Sequence, residues 1–264
     1  MPKVKVNDIH MYYEVKGEGY PLVMIQGLGG NLAGWDPGSV NALSKKFKLV
    51  LFDNRDAGRT DTSKREYTMK TFADDTAGLM NVLGISKAHI FGQSMGGMIA
   101  QEFVLNYPEK TAKLILCSTH CGGSKVIQPS HKVSRMLTVD RGAMSQEEYI
   151  RWILPIGFTD DYIKNYFDAV KMSFQRSFRY PISEAGYTRQ LNAIGKFNAY
   201  ERLPQIKAPT LVIHGRKDVL IPPENGTILA KAIPNAKLVF FKKSAHILAE
   251  EWSEVIRTIT QYLL

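Results

Sequence analysis

Short apolar runs alternate with segments of helical spacing along most of the chain. Runs of strand length occupy residues 4–6, 11–15, 22–26, 48–52, 88–91, 114–117, 210–214 and 237–241. Between them, residues 68–83 repeat apolar positions at helical spacing and stop at Gly84, a residue that commonly ends helices. An initial hairpin followed by this alternation predicts an α/β fold, with a mostly parallel sheet covered by helices on both faces.

The pattern changes between residues 120 and 200. No strand pattern is evident there, and helical stretches dominate, including a long one at residues 159–178. Ser145 followed by Glu148 forms a capping-box pattern, which predicts the start of another helix. We therefore expect a core domain of residues 1–119 and 201–264, and a helical cap domain of residues 120–200 inserted after the sixth strand.

The composition is that of a compact protein with a full apolar core. The chain has 264 residues, of which 44% are hydrophobic. Its start lacks an apolar leader and no later apolar run reaches membrane-spanning length, so we expect a cytoplasmic protein without membrane contact. The two cysteines, Cys117 and Cys121, are too few for a disulfide framework. We interpret both as ordinary thiols and expect no metal site.

The pentapeptide Gly92-Gln93-Ser94-Met95-Gly96 is the strongest candidate for chemistry. It follows a strand pattern and precedes a helical one, so Ser94 lies on a strand-to-helix turn. A serine there needs a strained backbone, which is tolerable when its neighbours two residues away carry no side chains. The motif alone is weak, because a serine hydroxyl becomes a good nucleophile only beside a base that a third group orients.

Two later segments offer that base and that third group. Asp218 follows the strand pattern at 210–214, and His246 follows the one at 237–241. Both residues lie on loops after strands, as Ser94 does. Loops at the carboxyl edge of an open α/β sheet are where binding and catalytic sites collect. We therefore expect Ser94, Asp218 and His246 to meet at this edge.

The chain resembles the α/β-hydrolase superfamily over essentially its whole length. Ser94, Asp218 and His246 occur in the order that this superfamily uses for its nucleophile, acid and histidine. Residues 53–60 also resemble a family turn, with Asp56 where the family usually has glycine. The resemblance implies an α/β-hydrolase fold and a catalytic triad of these three residues.

The resemblance also implies where an oxyanion would bind. Residues 27–30 follow an early strand and resemble the family's oxyanion loop, except that Gln26 replaces a histidine. By position, the donors are the backbone N–H groups of Leu28 and Met95. Because they are main-chain groups, the Gln26 departure need not impair them. A nucleotide-binding interpretation of this glycine-rich loop is disfavoured because the spacing Gly-x-Gly-x-x-Gly is absent.

The predicted activity is hydrolysis of carboxylic esters through an acyl-enzyme on Ser94, without a metal or organic cofactor. Lactonase, thioesterase, acyltransferase, carbon–carbon hydrolase and haloperoxidase chemistry remain open, since similar members use the same triad. Dehalogenases and epoxide hydrolases are less favoured because their nucleophile is an aspartate. A non-catalytic ligand-binding protein of the same fold is the alternative of a different class.

The charge balance adds a hypothesis about the substrate. The chain carries a formal net charge of +9, part of it on the cap. The basic residues are dispersed, which argues against nucleic-acid binding. Coenzyme A or another anionic acyl donor is a candidate ligand for basic residues of the cap. The candidate residues are Lys125, Lys132, Arg135, Arg176 and Arg179. We expect a small-molecule ester as the substrate and a monomer or small homo-oligomer.

Overall fold

The computed structural model describes residues 3–264 and contains one eight-stranded sheet. The strands are β1 (Lys3–Val6), β2 (Ile9–Lys16), β3 (Tyr20–Ile25), β4 (Phe47–Phe52), β5 (Ala88–Gln93), β6 (Thr111–Cys117), β7 (Thr210–Gly215) and β8 (Lys237–Phe241). Their spatial order is β1-β2-β4-β3-β5-β6-β7-β8. The β1–β2 and β2–β4 pairs are antiparallel, and the other pairs are parallel.

Nine α-helices are present among the described residues. They are α1 (Pro37–Ser44), α2 (Met69–Val82), α3 (Met95–Asn106), α4 (His131–Leu137), α5 (Gln146–Gly157), α6 (Asp160–Phe178), α7 (Glu184–Lys196), α8 (Glu224–Ala232) and α9 (Trp252–Leu263). Apolar residues of α1 and α9 pack against one face of the sheet, and those of α2, α3 and α8 against the other. Because both faces are covered, the central strands are buried on both sides, as parallel strands require.

The fold class predicted from the sequence is confirmed. Each predicted strand lies within an observed one or overlaps it, and the segment predicted as a helix at 68–83 contains α2. The sequence pattern did not reveal α1, whose eight residues begin at Pro37 after the N-cap Asp36. A helix this short repeats its apolar positions too few times to give a clear pattern.

Four helices, α4 to α7, lie between β6 and β7. The Ser145 and Glu148 side chains form the predicted capping box at the start of α5. The long helix is interrupted at Tyr166, which has non-helical backbone angles. The domain limits at residues 120 and 200 stay a prediction. Residues 1 and 2, which belong to the expected core domain, lie outside the described residues.

Two further sequence expectations concern the molecule as a whole. No helix within residues 3–264 is long and apolar enough to cross a membrane. Cys117 and Cys121 are free and buried, and burial raises the pKa of their thiols to about 12 and about 11 respectively. Thiols of this kind are unreactive at neutral pH.

Candidate active site

Ser94 occupies a sharp turn between the last residue of β5 and the first residue of α3. Its backbone angles are φ 57° and ψ −123°, a combination that L-residues rarely adopt. A Cβ atom at Gly92 would overlap the carbonyl of Gly96, and one at Gly96 would overlap the carbonyl of Ile25. Only glycine fits at both positions, so the motif is the local cause of the strained turn at Ser94.

Asp218 is buried in the loop after β7, where three hydrogen bonds and a contact with a second histidine hold its carboxylate. Its Oδ1 accepts from the N–H groups of Leu220 at 2.9 Å and Ile221 at 2.8 Å. Its Oδ2 lies 2.9 Å from His246 Nδ1. Burial by itself would raise the pKa of Asp218, but the charge of His246 and hydrogen bonds from His214 and His246 hold that pKa at about 2.

His214 is a second histidine on this carboxylate, and sequence reasoning gave it no role. It is fully buried in β7, with Nε2 at 2.8 Å from the carbonyl of Ile221 and 3.2 Å from Asp218 Oδ2. Both partners are acceptors, so Nε2 must carry the proton. The spacing of four residues between His214 and Asp218 was visible in the sequence. The turn that folds one back onto the other was not.

The loop that carries His246 is fixed to the start of α9. Glu251 Oε2 accepts hydrogen bonds from the N–H groups of Lys243 at 2.8 Å and Ser244 at 3.1 Å. It also accepts from Ser244 Oγ at 2.9 Å. The loop backbone is therefore held in place just before His246. Asp218 orients the imidazole ring of His246 through Nδ1.

Ser94 and His246 line the same cavity, which has a volume of about 480 Å³ and mostly apolar walls. No hydrogen bond joins these two described side chains in this structure. Catalytic hydrogen bonds of this kind are often long without substrate and shorten when it binds. The structure therefore brings Asp218 and His246 into direct contact, and it brings Ser94 to the cavity that His246 faces.

The loop predicted to carry one oxyanion donor passes directly beside the nucleophile. A Cβ atom at Gly27 would lie 3.5 Å from Ser94 Oγ. The N–H of Leu28, next in the chain, makes no hydrogen bond within residues 3–264. Met95 is the first residue of α3, so its N–H has no hydrogen-bond acceptor within the helix. Both groups predicted as donors are thus free to bind a ligand at the serine.

A cap residue that sequence reasoning missed holds this loop. Gln190, on α7, accepts a hydrogen bond from Gly29 N at 2.8 Å and donates one to the carbonyl of Arg55 at 3.0 Å. Its side chain is completely buried. A lone glutamine in a helix gives no sequence signal for a partner 161 positions away.

The departure from the family pattern at Asp56 has a structural explanation. Asp56 has a φ of +69°, which is a left-handed conformation. This conformation favours glycine, which the family usually has here, and aspartate tolerates it better than most other residues. Its buried carboxylate accepts from Ser63 N and the Tyr67 hydroxyl, both at 2.6 Å, and from the guanidinium of Arg189. Arg189 belongs to α7, so the aspartate joins this helix to the turn after β4.

The five basic cap residues selected as candidates for an anionic ligand do not line the cavity of Ser94. Lys132 and Arg135 line a groove on the outer surface of the cap instead. A different arginine, Arg141, reaches the cavity wall. Charge patterning identified the cap as basic, but it could not distinguish side chains facing solvent from one facing inward.

Comparison with known proteins identifies the family of this fold. The family model described as alpha/beta hydrolase fold matches residues 20–251. The chain belongs to this family. In this chain, Ser94, Asp218 and His246 lie on the loops that follow β5, β7 and β8.

Three relatives illustrate the range of similar alpha/beta hydrolases. The enol-lactonase of Burkholderia xenovorans has 28% identity, a TM-score of 0.87 and 99% coverage of both chains. A thermophilic esterase of Thermogutta terrifontis, solved with malate bound, has 26% identity and a TM-score of 0.81 over 100% of this chain and 98% of its own. A 2-hydroxy-6-oxo-6-phenylhexa-2,4-dienoate hydrolase of Comamonas testosteroni is 26% identical over 91% of this chain and 86% of its own. These three relatives carry different hydrolase names: enol-lactonase, esterase and dienoate hydrolase.

Proposed function

We propose that this alpha/beta hydrolase is a serine hydrolase that cleaves carboxylic esters through an acyl-enzyme on Ser94. The observation that carries the proposal is the strained turn of Ser94 beside a cavity that His246 also lines, with His246 bonded to the ionised Asp218. Strained backbone conformations cluster at functional sites. A histidine oriented by a carboxylate is the base that a serine nucleophile needs.

The first half of the reaction forms the acyl-enzyme. His246 Nε2 removes the hydroxyl proton as Ser94 Oγ forms a bond to the ester carbonyl carbon. The carbonyl oxygen becomes an oxyanion and accepts hydrogen bonds from the N–H groups of Leu28 and Met95, each of which contributes about 3 kcal/mol in sites of this type. The bond to the leaving alcohol then breaks, and that alcohol takes the proton from His246.

The second half releases the acid. Water donates a proton to His246 as its oxygen bonds to the acyl carbon, and a second oxyanion forms at the same two N–H groups. The bond from the acyl carbon to Ser94 Oγ breaks, and the serine takes its proton back from His246. The products are one carboxylic acid and one alcohol, and the enzyme returns to its starting state. Asp218 orients the imidazole throughout and stabilises its cationic form.

Lactone hydrolysis is the second candidate, and the likeness to an enol-lactonase over nearly the whole of both chains favours it. A lactone is an intramolecular ester, so the same steps apply, with the alcohol staying attached to the acid. A coenzyme A thioester fits the same steps, but the five cap residues first selected for its phosphates lie away from the cavity.

The nucleophile assignment is tested with Ser94→Ala. We expect hydrolysis of a 4-nitrophenyl ester to fall by about 10³-fold or more, because the attacking atom is removed while the oxyanion donors stay. Labelling by a fluorophosphonate probe should disappear as well. Ser253→Ala, which changes an exposed serine on α9, is the matched control and should behave like the wild type.

A parallel panel of esters, lactones and acyl thioesters identifies the bond that is cleaved. Full hydrolysis or labelling in the Ser94→Ala variant would refute the mechanism. Absence of labelling and of turnover in the wild type would support a ligand-binding protein without catalysis.

A further inference from the structure

Arg141 is an unusual residue in the cavity of Ser94. Among the described residues that line this cavity there is no Asp, Glu or Lys, and Arg141 is the only arginine. Its side chain is 14% exposed. A cation in the wall of a mostly apolar cavity loses much of its hydration, which costs free energy. Pairing with an anion offsets that cost.

The hydrogen-bonding capacity of Arg141 is only partly used by the protein. Nε and Nη2 make no hydrogen bond within residues 3–264. Nη2 lies 2.7 Å from Glu184 Oε1, but the pair lacks hydrogen-bond alignment. Glu184 is 59% exposed, so water screens its charge and weakens the pair. Because Arg141 lines the cavity, the unused hydrogen-bonding capacity of its guanidinium lies at the cavity wall.

Two tyrosines flank the guanidinium and also line the cavity. The Arg141 guanidinium carbon lies 3.9 Å above the centre of the Tyr187 ring. Burial raises the pKa of the Tyr187 and Tyr149 hydroxyls, so both stay protonated and can donate hydrogen bonds. A guanidinium fork with neighbouring hydroxyl donors suits a carboxylate, whose two oxygens accept from both.

The position of this group relative to the reacting atoms follows from Tyr187. The edge of its ring packs on Gly29, where a Cβ atom would come within 3.2 Å of Cδ2. Gly29 follows Leu28, the predicted oxyanion donor. One aromatic ring therefore separates the guanidinium from the oxyanion loop, so a ligand that reaches both needs only a short carbon chain between its two ends.

We propose that Arg141, assisted by Tyr149 and Tyr187, binds an ionised carboxylate of the substrate while the ester carbonyl lies at Ser94. The inference rests on the proposed function and names its substrate class. The preferred substrates are esters or lactones that carry a second, free carboxylate on a short acyl chain.

The test compares two esters that differ in one charge. The 4-nitrophenyl half-ester of glutaric acid carries a free carboxylate, and its methyl ester is a neutral analogue of the same chain. We expect the wild type to prefer the half-ester in kcat/KM by about tenfold or more, the range for a hydrogen-bonded charged group. In Arg141→Met this ratio should fall at least tenfold, and in Arg141→Lys it should be intermediate because an ammonium lacks the fork.

Two control variants separate the site from the general charge of the cap. Arg135→Met removes an exposed arginine outside the cavity and should keep the wild-type ratio. Glu184→Gln removes the carboxylate that competes for Arg141 and should raise the ratio. Circular dichroism melting curves establish that each variant is folded. A wild-type ratio near one, or a ratio that Arg141→Met leaves unchanged, would overturn the inference.

Calorimetry distinguishes failure of the inference from failure of the proposed function. Monomethyl glutarate and dimethyl glutarate are titrated into the Ser94→Ala protein, in which no turnover is needed. We expect the monoester to bind about tenfold more tightly, and this preference to disappear in Ser94→Ala with Arg141→Met. If neither chromogenic ester is hydrolysed, the proposed function fails, and equal affinity for the two glutarates overturns the carboxylate site by itself.

Discussion

At the residue scale, the candidate site depends on how fully the Asp218 carboxylate is hydrogen-bonded. Two backbone N–H groups bind one oxygen, and two histidines bind the other. Each donor stabilises the negative charge of the carboxylate and thereby weakens the attraction of that charge for the other donors. His214 therefore acts through Asp218: it shares the charge that would otherwise act on His246 alone.

The role of His214 as a positioning residue is testable with His214→Phe. The substitution keeps a ring of similar size but removes the Nε2–H donor, so Asp218 attracts the protonated His246 more strongly. We expect the acidic limb of the kcat/KM pH profile to move to higher pH by about 0.5–1 unit, the equivalent of one hydrogen bond of about 1 kcal/mol. A merely structural change would lower activity without moving that limb.

His89→Phe is the matched control, because it changes another buried histidine that packs beside Tyr20 and Phe47, away from the cavity. Its acidic limb should coincide with that of the wild type. An unshifted limb in His214→Phe would show that His214 does not influence the reacting histidine.

At the element scale, one helix, α7, contacts both the candidate oxyanion loop and the turn that contains Asp56. Three residues of α7 make these contacts: Tyr187 packs on Gly29, Arg189 binds Asp56, and Gln190 bonds Gly29 and Arg55. The oxyanion loop is consequently held between the core and α7. A shift of this helix would move the loop, so we expect the position of α7 to influence any catalysis at Ser94 through a small number of hydrogen bonds.

This coupling predicts the effect of Gln190→Leu. The change leaves the Gly29 N–H and the Arg55 carbonyl unpaired inside the protein, at a cost of about 1–3 kcal/mol each. We expect a lower urea midpoint and a fall in kcat of about tenfold with little change in KM, because the loop matters most when the oxyanion forms. Gln146→Leu, on the exposed start of α5, is the control. Wild-type kcat in the Gln190 variant would refute the coupling.

At the scale of the whole molecule, buried His89 and half-buried His120 make stability depend on pH. Burial lowers the pKa of His89 and of His120 to about 4, with a smaller effect of Lys113 on His89. The unfolded chain, with histidine near 6.5, binds more protons than the folded protein between pH 6.5 and 4. The free energy of unfolding must therefore fall as the pH is lowered through this window. Asp218, with its pKa near 2, adds a loss only at lower pH, below about 4.

Urea unfolding at pH 7, 6 and 5 measures this dependence. We expect the free energy of unfolding to decrease by up to about 1.4 kcal/mol per pH unit for each of the two histidines below pH 6. His89→Phe should reduce that slope to about half, whereas His131→Phe, at an exposed position, should leave it unchanged. A flat profile in the wild type would contradict the burial argument.

Short-range sequence patterns were enough to specify the strands, the strained serine turn and the chain order of the candidate residues. A glycine two positions on each side of Ser94 restricts backbone conformation through atoms only a few residues apart. Apolar periodicity acts over a similar range. The short α1 and the break at Tyr166 leave no clear trace in such patterns, since few repeats or a single residue carry them.

Which side chains meet depends on the folded chain. The contact of His214 with Asp218 requires the turn after β7, that of Gln190 with Gly29 spans 161 positions, and the inward direction of Arg141 depends on how the cap helices pack. Hydrogen bonds and burial of this kind depend on distance in space, and no local pattern encodes them. The sequence therefore specified the strands, the longer helices and the candidate chemistry, whereas packing specified the shape and charge of the cavity in which that chemistry would occur.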